Sequence, residues 1–550
     1  MFFCIVKISR IRFSQTSRFA EFRESFLRQR SHSSFLEPLL YSSASGMKPG
    51  FSNLRKHVTN WQTIFQKTSM PTQLDPATIR QTPNVIGGVS GAPWLLRFLA
   101  NSAGCVATLE NQYGNDTAVA IPTPFNLSKR KYVVGIGARQ NQTVLGDKTA
   151  FRTTGYMFNG PPNSAMSRIR SGLLHSRGKM HSDIRSMLQP IFAKRAIEKP
   201  FSQFIRITHE QTEKWKPGTQ IELWDEMCLL TRRLSGRILL GNETDENLDD
   251  LSTKIQRVVD QTFNKLIWLF PYDVAGTPFR RMLSAAEDAE ETLLKMIQRC
   301  RECPKPIEQA DVLGKLVQAR FGDNESLSDA QLVGQMVFFF SASFETTATV
   351  LTWLLITISQ NPKIRADLID EIQAVLQGGD PTLEKVGQLN LLERVIKETM
   401  RLFPPLPTLA RVAVEPNELG GMQINKGDRV VVSPYVTHRN ADVYSNPLEF
   451  DPDRWLDNPP SLYQYLPFGA GTRYCVAANY AMTLLKVCAS IIIPKYQYSL
   501  ADRTRIDCKT RIVLRPKQAV HMMIQSPDRV SKPVRLRGYI NEMLNINCGS

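Results

Sequence analysis

The stretch FGAGTRYCVA, residues 468–477, sets one cysteine, Cys475, behind two glycines, an arginine and a tyrosine. Gly469 and Gly471 allow the positive φ angles of a tight turn, and the pattern behind the cysteine predicts a helix over 476–490. A thiol at a helix N-terminus meets the positive end of the helix dipole and unpaired backbone N–H groups, and Arg473 adds a nearby cation. All three effects favour the thiolate, the form that binds metals. Taken alone, a cysteine is more often a buried, inert hydrophobe, so the reading of Cys475 rests on what accompanies it.

Three other stretches do. Glu398-Thr399-Met400-Arg401 places an acid and a base on one helix face, followed by Pro404-Pro405 and then by FDPDRW at 450–455. Such a pair by itself carries nothing, since it occurs on most surface helices. Ala342-Ser343-Phe344-Glu345-Thr346-Thr347 puts an acid and hydroxyls in the middle of an otherwise apolar helical run. Polar groups there are costly unless hydrogen-bonded or useful; the plain alternative is Thr346 bonding back to a carbonyl one turn earlier and opening a kink. HSDIR at 181–185 sets His181 and Arg185 on one helix face, a pairing that is usually surface decoration.

Together these stretches identify a resemblance. FGAGTRYCVA resembles the haem-binding loop of cytochromes P450, Phe-x-x-Gly-x-Arg-x-Cys-x-Gly, matching at Phe468, Gly471, Arg473 and Cys475 and departing at Ala477. The four stretches follow in family order, and the resemblance runs from about 95 to 525. It implies that Cys475 is the thiolate on the haem iron, that Phe468 packs near the sulfur, and that Arg473, His181, Arg185 and Arg411 hold the haem propionates. It further implies that Thr346 and Glu345 handle protons during oxygen activation, with Ser343 replacing a family glycine. Glu398, Arg401 and Arg454 would form a structural network supporting the cysteine loop.

The expected fold is α+β and mainly α-helical, with small peripheral sheets and haem between a long central helix and the cysteine loop. That helix is read over 329–362, stopped by Asn361-Pro362; helices are also expected over 94–114, 362–379 and 392–405. TAVAIP after Gly114 and the stretch 424–440 read as short strands, and 514–526 as one closing hairpin strand. The domain is placed at 81–526, between a basic N-terminal extension or targeting segment (1–80) and a basic, loosely held C-terminal tail (527–550). The first sixty residues are rich in Arg and Ser and poor in acid, as mitochondrial transit peptides are; an extension preceding a start at Met47 or Met70 is the plainer reading.

A net charge of +17 suits an acidic partner or anionic surface, and the scattered basic residues argue against nucleic acid. Nine cysteines without framework spacing point to a reducing compartment. Cys300 and Cys303 form the one CxxC, read as two thiols at a solvated helix end, because zinc would want further ligands. Apolar runs such as 349–358 are too short to span a membrane.

The resemblance implies a monooxygenase using haem b (iron protoporphyrin IX), dioxygen and electrons from NAD(P)H. The electrons are expected through a separate ferredoxin or flavodoxin and its reductase. A small apolar substrate (fatty acid, terpenoid or sterol) and a monomeric cytoplasmic protein without a transmembrane anchor complete the expectation. The segment 265–283, which resembles the loop capping the family's substrate channel, is read as channel lining and core or, alternatively, as a peripheral membrane contact. A mitochondrial location follows if 1–50 is a transit peptide. The alternatives are a peroxide-using or rearranging enzyme, and a non-catalytic electron-transfer or sensor protein; neither has use for the Glu345-Thr346 pair.

Overall fold

A computed structural model describes residues 93–545, apart from 95–96, 99–100, 123–129, 148, 154–159, 242–244, 269, 308, 321–324, 458, 511 and 528–531. All of these belong to one unit, Asn84–Ser550. The N-terminal segment expected over 1–80, with its transit-peptide and late-start readings, lies outside the described residues.

In chain order, α1 (Ser102–Tyr113), β1 (Thr117–Pro122), β2 (Lys131–Ile136), α2 (Ala138–Gly146) and β3 (Phe151–Thr153) precede the helical body. That body runs through α3 (Ala165–Ile169), α4 (Gly178–Leu188), α5 (Glu198–Thr212), a short strand β4 (Gln220–Glu222), α6 (Leu223–Leu240), α7 (Asp245–Thr262), α8 (Pro278–Glu302) and α9 (Val312–Gln318). It continues through α10 (Asp329–Ser359), α11 (Pro362–Leu376), α12 (Leu383–Gln388) and α13 (Asn390–Leu402). Short strands β5 (Leu409–Ala413), β6 (Asn417–Leu419), β7 (Met422–Ile424) and β8 (Arg429–Val432) follow, then α14 (Pro434–Thr437) and α15 (Ala478–Lys495). The chain closes with β9 (Gln497–Leu500), β10 (Cys508–Thr510), β11 (Leu514–Pro516), β12 (His521–Gln525) and α16 (Ile540–Met543).

The long helix organises the rest. Ser328 and Gln331 close a reciprocal capping box at its start, and Asn361-Pro362 stops it as the sequence requires. Its C-terminal half is buried all round; Trp353 stacks on Phe403 with ring centroids 4.3 Å apart, and its indole N–H donates to Leu514 O at 2.8 Å. By length and composition α10 alone among the described helices is apolar enough to cross a membrane, but 72% of its apolar window lies inside the fold. Near its N-terminal end, Gly334 meets Gly172 so closely that a Cβ on Gly334 would stand 2.6 Å from Gly172 N. Two glycines thus let the 171–176 segment lie against the helix, where Leu173 N–H donates to Gln335 Oε1 at 2.9 Å.

The largest sheet has strand order β1-β2-β8-β5-β3. Strands β2 and β8 pair in parallel although 297 residues separate Tyr132 from Arg429; the other pairs are antiparallel. Arg411 sits mid-strand on β5, opposite Val430 on one side and Thr153 on the other.

Three local expectations change. The 94–114 helix is interrupted at Asn101, whose Oδ1 accepts from Gly104 N–H at 3.1 Å, so α1 starts only at Ser102. The stretch 514–526 is two strands in two sheets: β11 pairs with β10, while β12 lies between β4 and β9. The tail expected to be loosely held packs against the domain: Leu536, Ile540, Met543 and Leu544 are buried, Arg439 Nη2 donates to Met543 O at 3.1 Å, and Asn545 N–H donates to Leu448 O at 2.9 Å. Its basic composition hides an apolar face spaced as on a helix.

Candidate active site

The cysteine loop folds as the glycines predict. Gly469 and Gly471 lie at φ +71° and +67°, and a Cβ on Gly471 would stand 2.1 Å from Leu145 O, so no other residue fits there. Gly469 N–H donates to Leu466 O at 3.0 Å and Cys475 N–H to Phe468 O at 2.9 Å, closing the turn. Ala477 is the N-cap of α15 at φ −102°, an ordinary conformation for alanine, so this position makes no demand for the family glycine.

Cys475 corrects one expectation. Burial pushes its thiol above the usual range, against the lowering effects of the Ala477 N–H and Arg185. Arg473 is not among the groups that act on the thiol; its guanidinium instead donates to Leu173 O at 2.9 Å and Ser176 O at 2.7 Å. The sequence shows the helix end and the neighbouring cation but not the burial, and burial wins. The sulfur therefore rests protonated and becomes thiolate when a metal takes it. Cys475 still keeps some accessible surface.

Around it gathers a set of basic side chains without carboxylate partners. His181 is buried with Nε2 unpartnered, Arg411 is buried, and Arg185 and Arg473 are half-buried. Among the described residues no carboxylate pairs with any of them. Each feels the next. Burial, then Arg473 and Arg185, push His181 down to about 4; burial, then Arg473, lower Arg411 to about 10; burial, then Arg185 and Arg177, lower Arg473 to about 10. Sequence reading missed the outer members of the group. His175, also with an unpartnered Nε2, is pushed down to about 4 by burial and by Arg170, Arg177 and Arg473. The basic density of SRIRSGLLHSRGKMH (167–181) was the available signal. Like charges held together in a half-buried pocket are unfavourable alone, and a ligand with two carboxylates relieves them. The residues present fit haem: a thiol for iron and cations for two propionates.

The middle of α10 offers a polar wall. Ala342, Ser343, Glu345 and Thr346 keep accessible surface between buried neighbours. Thr346 Oγ1 donates to Ala342 O at 2.7 Å, as the plain reading allowed, yet the helix continues unbroken through this point. Ser343 Oγ turns back to Phe340 O at 3.2 Å, and Thr231 of α6 donates to Phe344 O at 3.0 Å.

The loop is held from behind. Glu398 and Arg401 are fully buried and bidentate at 2.8 and 2.9 Å. Arg454 Nε and Trp455 Nε1 donate to the same carboxylate at 2.9 and 3.1 Å. Arg401 also donates to the carbonyls of His438, Pro447 and Glu449. The link forward is His438, which sequence reading did not single out. Its Nδ1 lies 3.0 Å from Arg401 O, and Leu466 N–H donates to its Nε2 at 2.7 Å. A carbonyl only accepts and an amide N–H only donates, so the ring is neutral with its proton on Nδ1. Burial pushes its pKa down to about 3. Glu398, Arg401, His438 and Leu466 thus form one bonded path to the cysteine loop.

The comparisons agree with this geometry. The family described as Cytochrome P450 matches residues 125–523. Lanosterol 14-alpha demethylase of Bos taurus is 29% identical over 55% of the chain and 62% of the relative, so the chain spans less than two thirds of that relative's length. Cyclooctatin synthase of Streptomyces melanosporofaciens is 30% identical over 64% of the chain and 78% of its own length. Among solved structures, retinoic acid bound cyanobacterial CYP120A1 superimposes with a TM-score of 0.68 at 23% identity, covering 80% of this chain and 99% of its own. From the motif order, the bonded path behind Cys475 and the extent of the family match, the chain belongs to the cytochrome P450 family.

Proposed function

We propose that this chain is a haem-thiolate monooxygenase that inserts one atom of dioxygen into a medium-to-large apolar substrate, with electrons passing from NAD(P)H through a separate redox protein. The observation that carries the reading is the pocket beside Cys475 where Arg185, Arg411, Arg473 and His181 gather without a carboxylate partner. Haem b bound there supplies reductive activation of dioxygen, chemistry that no side chain offers.

The chain's own residues do the rest. Cys475 would release its proton to solvent and hold the haem iron through sulfur. Arg185, Arg411, Arg473 and His181 hold the two carboxylates. Phe468 packs beside the sulfur and keeps water from it. Thr346 Oγ1 donates to Ala342 O, which leaves its lone pairs to accept a hydrogen bond on the accessible side of α10, and Glu345 would pass a proton from solvent towards that side.

Relatives named for lanosterol, cyclooctatin and cytokinin support a substrate with a substantial apolar skeleton. The net charge of +17 suits an acidic ferredoxin or flavodoxin served by its reductase. Leu266, Phe270, Tyr272 and Val274 are exposed between α7 and α8, which supports a peripheral contact with a lipid surface. The cysteine usage favours a reducing location, cytoplasmic for a monomer of this kind, with mitochondria the alternative if 1–50 is cleaved.

A carbon monoxide difference spectrum of the reduced protein tests the core of this. The band of thiolate-ligated haem is expected in the native chain and absent in Cys475→Ser; its absence from the native chain overturns the reading. A spectral-shift screen over sterols, terpenoids and fatty acids then sorts substrates. With a bound hit, Thr346→Ala is expected to consume dioxygen without matching product. Turnover with peroxide and no electron donor favours the peroxide-using alternative.

A further inference from the structure

The C-terminal end of α8 holds a second group of soft donors, remote in chain from every residue assigned above. Met296 and Cys300 stand at i and i+4 on one face of α8, and Cys303 follows just past its end. All three line a cavity of about 330 Å³ closed by the end of α6 and the start of α9. Met296 is buried, Cys300 is half-buried and Cys303 is exposed; both thiols are free. Cys303 is the cap residue, at φ −127° and ψ 68°, and has left the helical conformation. Gly314 of α9 faces Cys300: a Cβ added there would stand 3.8 Å from Cys300 Sγ.

We propose that Met296, Cys300 and Cys303 form a site for one soft monovalent cation of copper(I) type, held by two thiolates with the thioether as third donor. The donor set selects the metal. Among the described residues no three His, Cys, Asp or Glu side chains converge to hold an ion, so the four ligands a structural zinc takes are not assembled here. Copper(I) favours thiolate and thioether sulfur and does not require oxygen or nitrogen donors. Binding forms three Cu–S bonds, two to thiolate and one to thioether sulfur, releases the two thiol protons to solvent and changes no oxidation state. It leaves one net negative charge, and Arg299 and Lys305 line the same cavity to offset it.

The test uses the haem-loaded full chain, reduced and anaerobic, with Cys4 and Cys548 changed to Ser so that neither terminal thiol contributes. Copper(I) is supplied as its coloured bathocuproine disulfonate complex, and loss of that colour reports transfer. One equivalent per chain is expected to transfer, with none in Cys303→Ser or Cys300→Ser and weaker retention in Met296→Leu. Cys303 is exposed, so its substitution leaves the fold intact, and an unchanged haem spectrum verifies this. Failure of the parent chain to take copper, or equal uptake by Cys303→Ser, overturns the proposal.

Discussion

His438→Phe keeps a ring of similar size and removes both of its hydrogen bonds. Arg401 O and Leu466 N–H then lose the partners they have at 3.0 and 2.7 Å. Leaving a buried polar group unpaired costs about 1–3 kcal/mol, so the two together cost about 2–6 kcal/mol at neutral pH. The pH dependence makes the test specific. The folded ring sits near 3 and an unfolded histidine near its ordinary 6.5, so below 6.5 the unfolded chain binds a proton that the folded chain refuses. Stability of the native protein therefore falls as pH falls through that window, by about 2.5 kcal/mol between roughly pH 6 and pH 4. The phenylalanine variant lacks this loss, so the gap between the two proteins narrows by that amount on acidification. His175 and His181, also pushed down, titrate in both proteins and cancel from the difference. Urea unfolding followed by tryptophan fluorescence at several pH values measures the gap. A gap that stays constant from pH 6 to pH 4 refutes the buried neutral imidazole.

Glu398→Gln leaves Arg401 and Arg454 facing each other without their shared carboxylate, which costs about 3–5 kcal/mol for a buried network. The haem-to-protein ratio after expression should fall sharply; an unchanged ratio counts against the supporting role. Ala477→Gly restores the family residue where φ is −102°, so it should lower stability by about 0.5–1 kcal/mol with no gain in haem retention, as thermal unfolding would show. Arg411→Ala removes one charge-assisted partner of a carboxylate and should speed haem transfer to an acceptor globin roughly ten- to hundredfold, with Arg411→Lys in between. Equal rates in all three proteins would remove Arg411 from the pocket.

The cysteine loop, the long helix and the acid–base pair on α13 were legible because each is written in a short stretch. Gly469, Gly471 and the Asn361-Pro362 stop dictate local backbone conformation, and no distant partner changes it. What the sequence did not reveal depends on distance or on burial. The parallel pairing of β2 with β8 joins segments nearly the whole domain apart. His438 is an unremarkable residue in THRN until Leu466 is folded above it. The thiolate argument at Cys475 used the three influences visible nearby and lacked a fourth, the desolvation that outweighs them. Arg473 shows the same limit: the motif supplies the residue, and the glycine contact at 172 and 334 decides that three carbonyls lie within its reach.

The docked C-terminal segment bears on the order in which the protein is made. Arg439 is half-buried beside Arg401 and His438, and one of the carbonyls that satisfies it belongs to Met543. Residues 534–545 leave the ribosome after everything they cover, so the surroundings of the haem-supporting network stay incomplete until synthesis has passed them. Until then the Arg439 guanidinium keeps Tyr435 O and Leu402 O but lacks its third acceptor, and Ile540 and Met543 have not yet covered their side of the core. A stalled or prematurely ended chain would therefore be a target for chaperones although every motif of the family is already present in it.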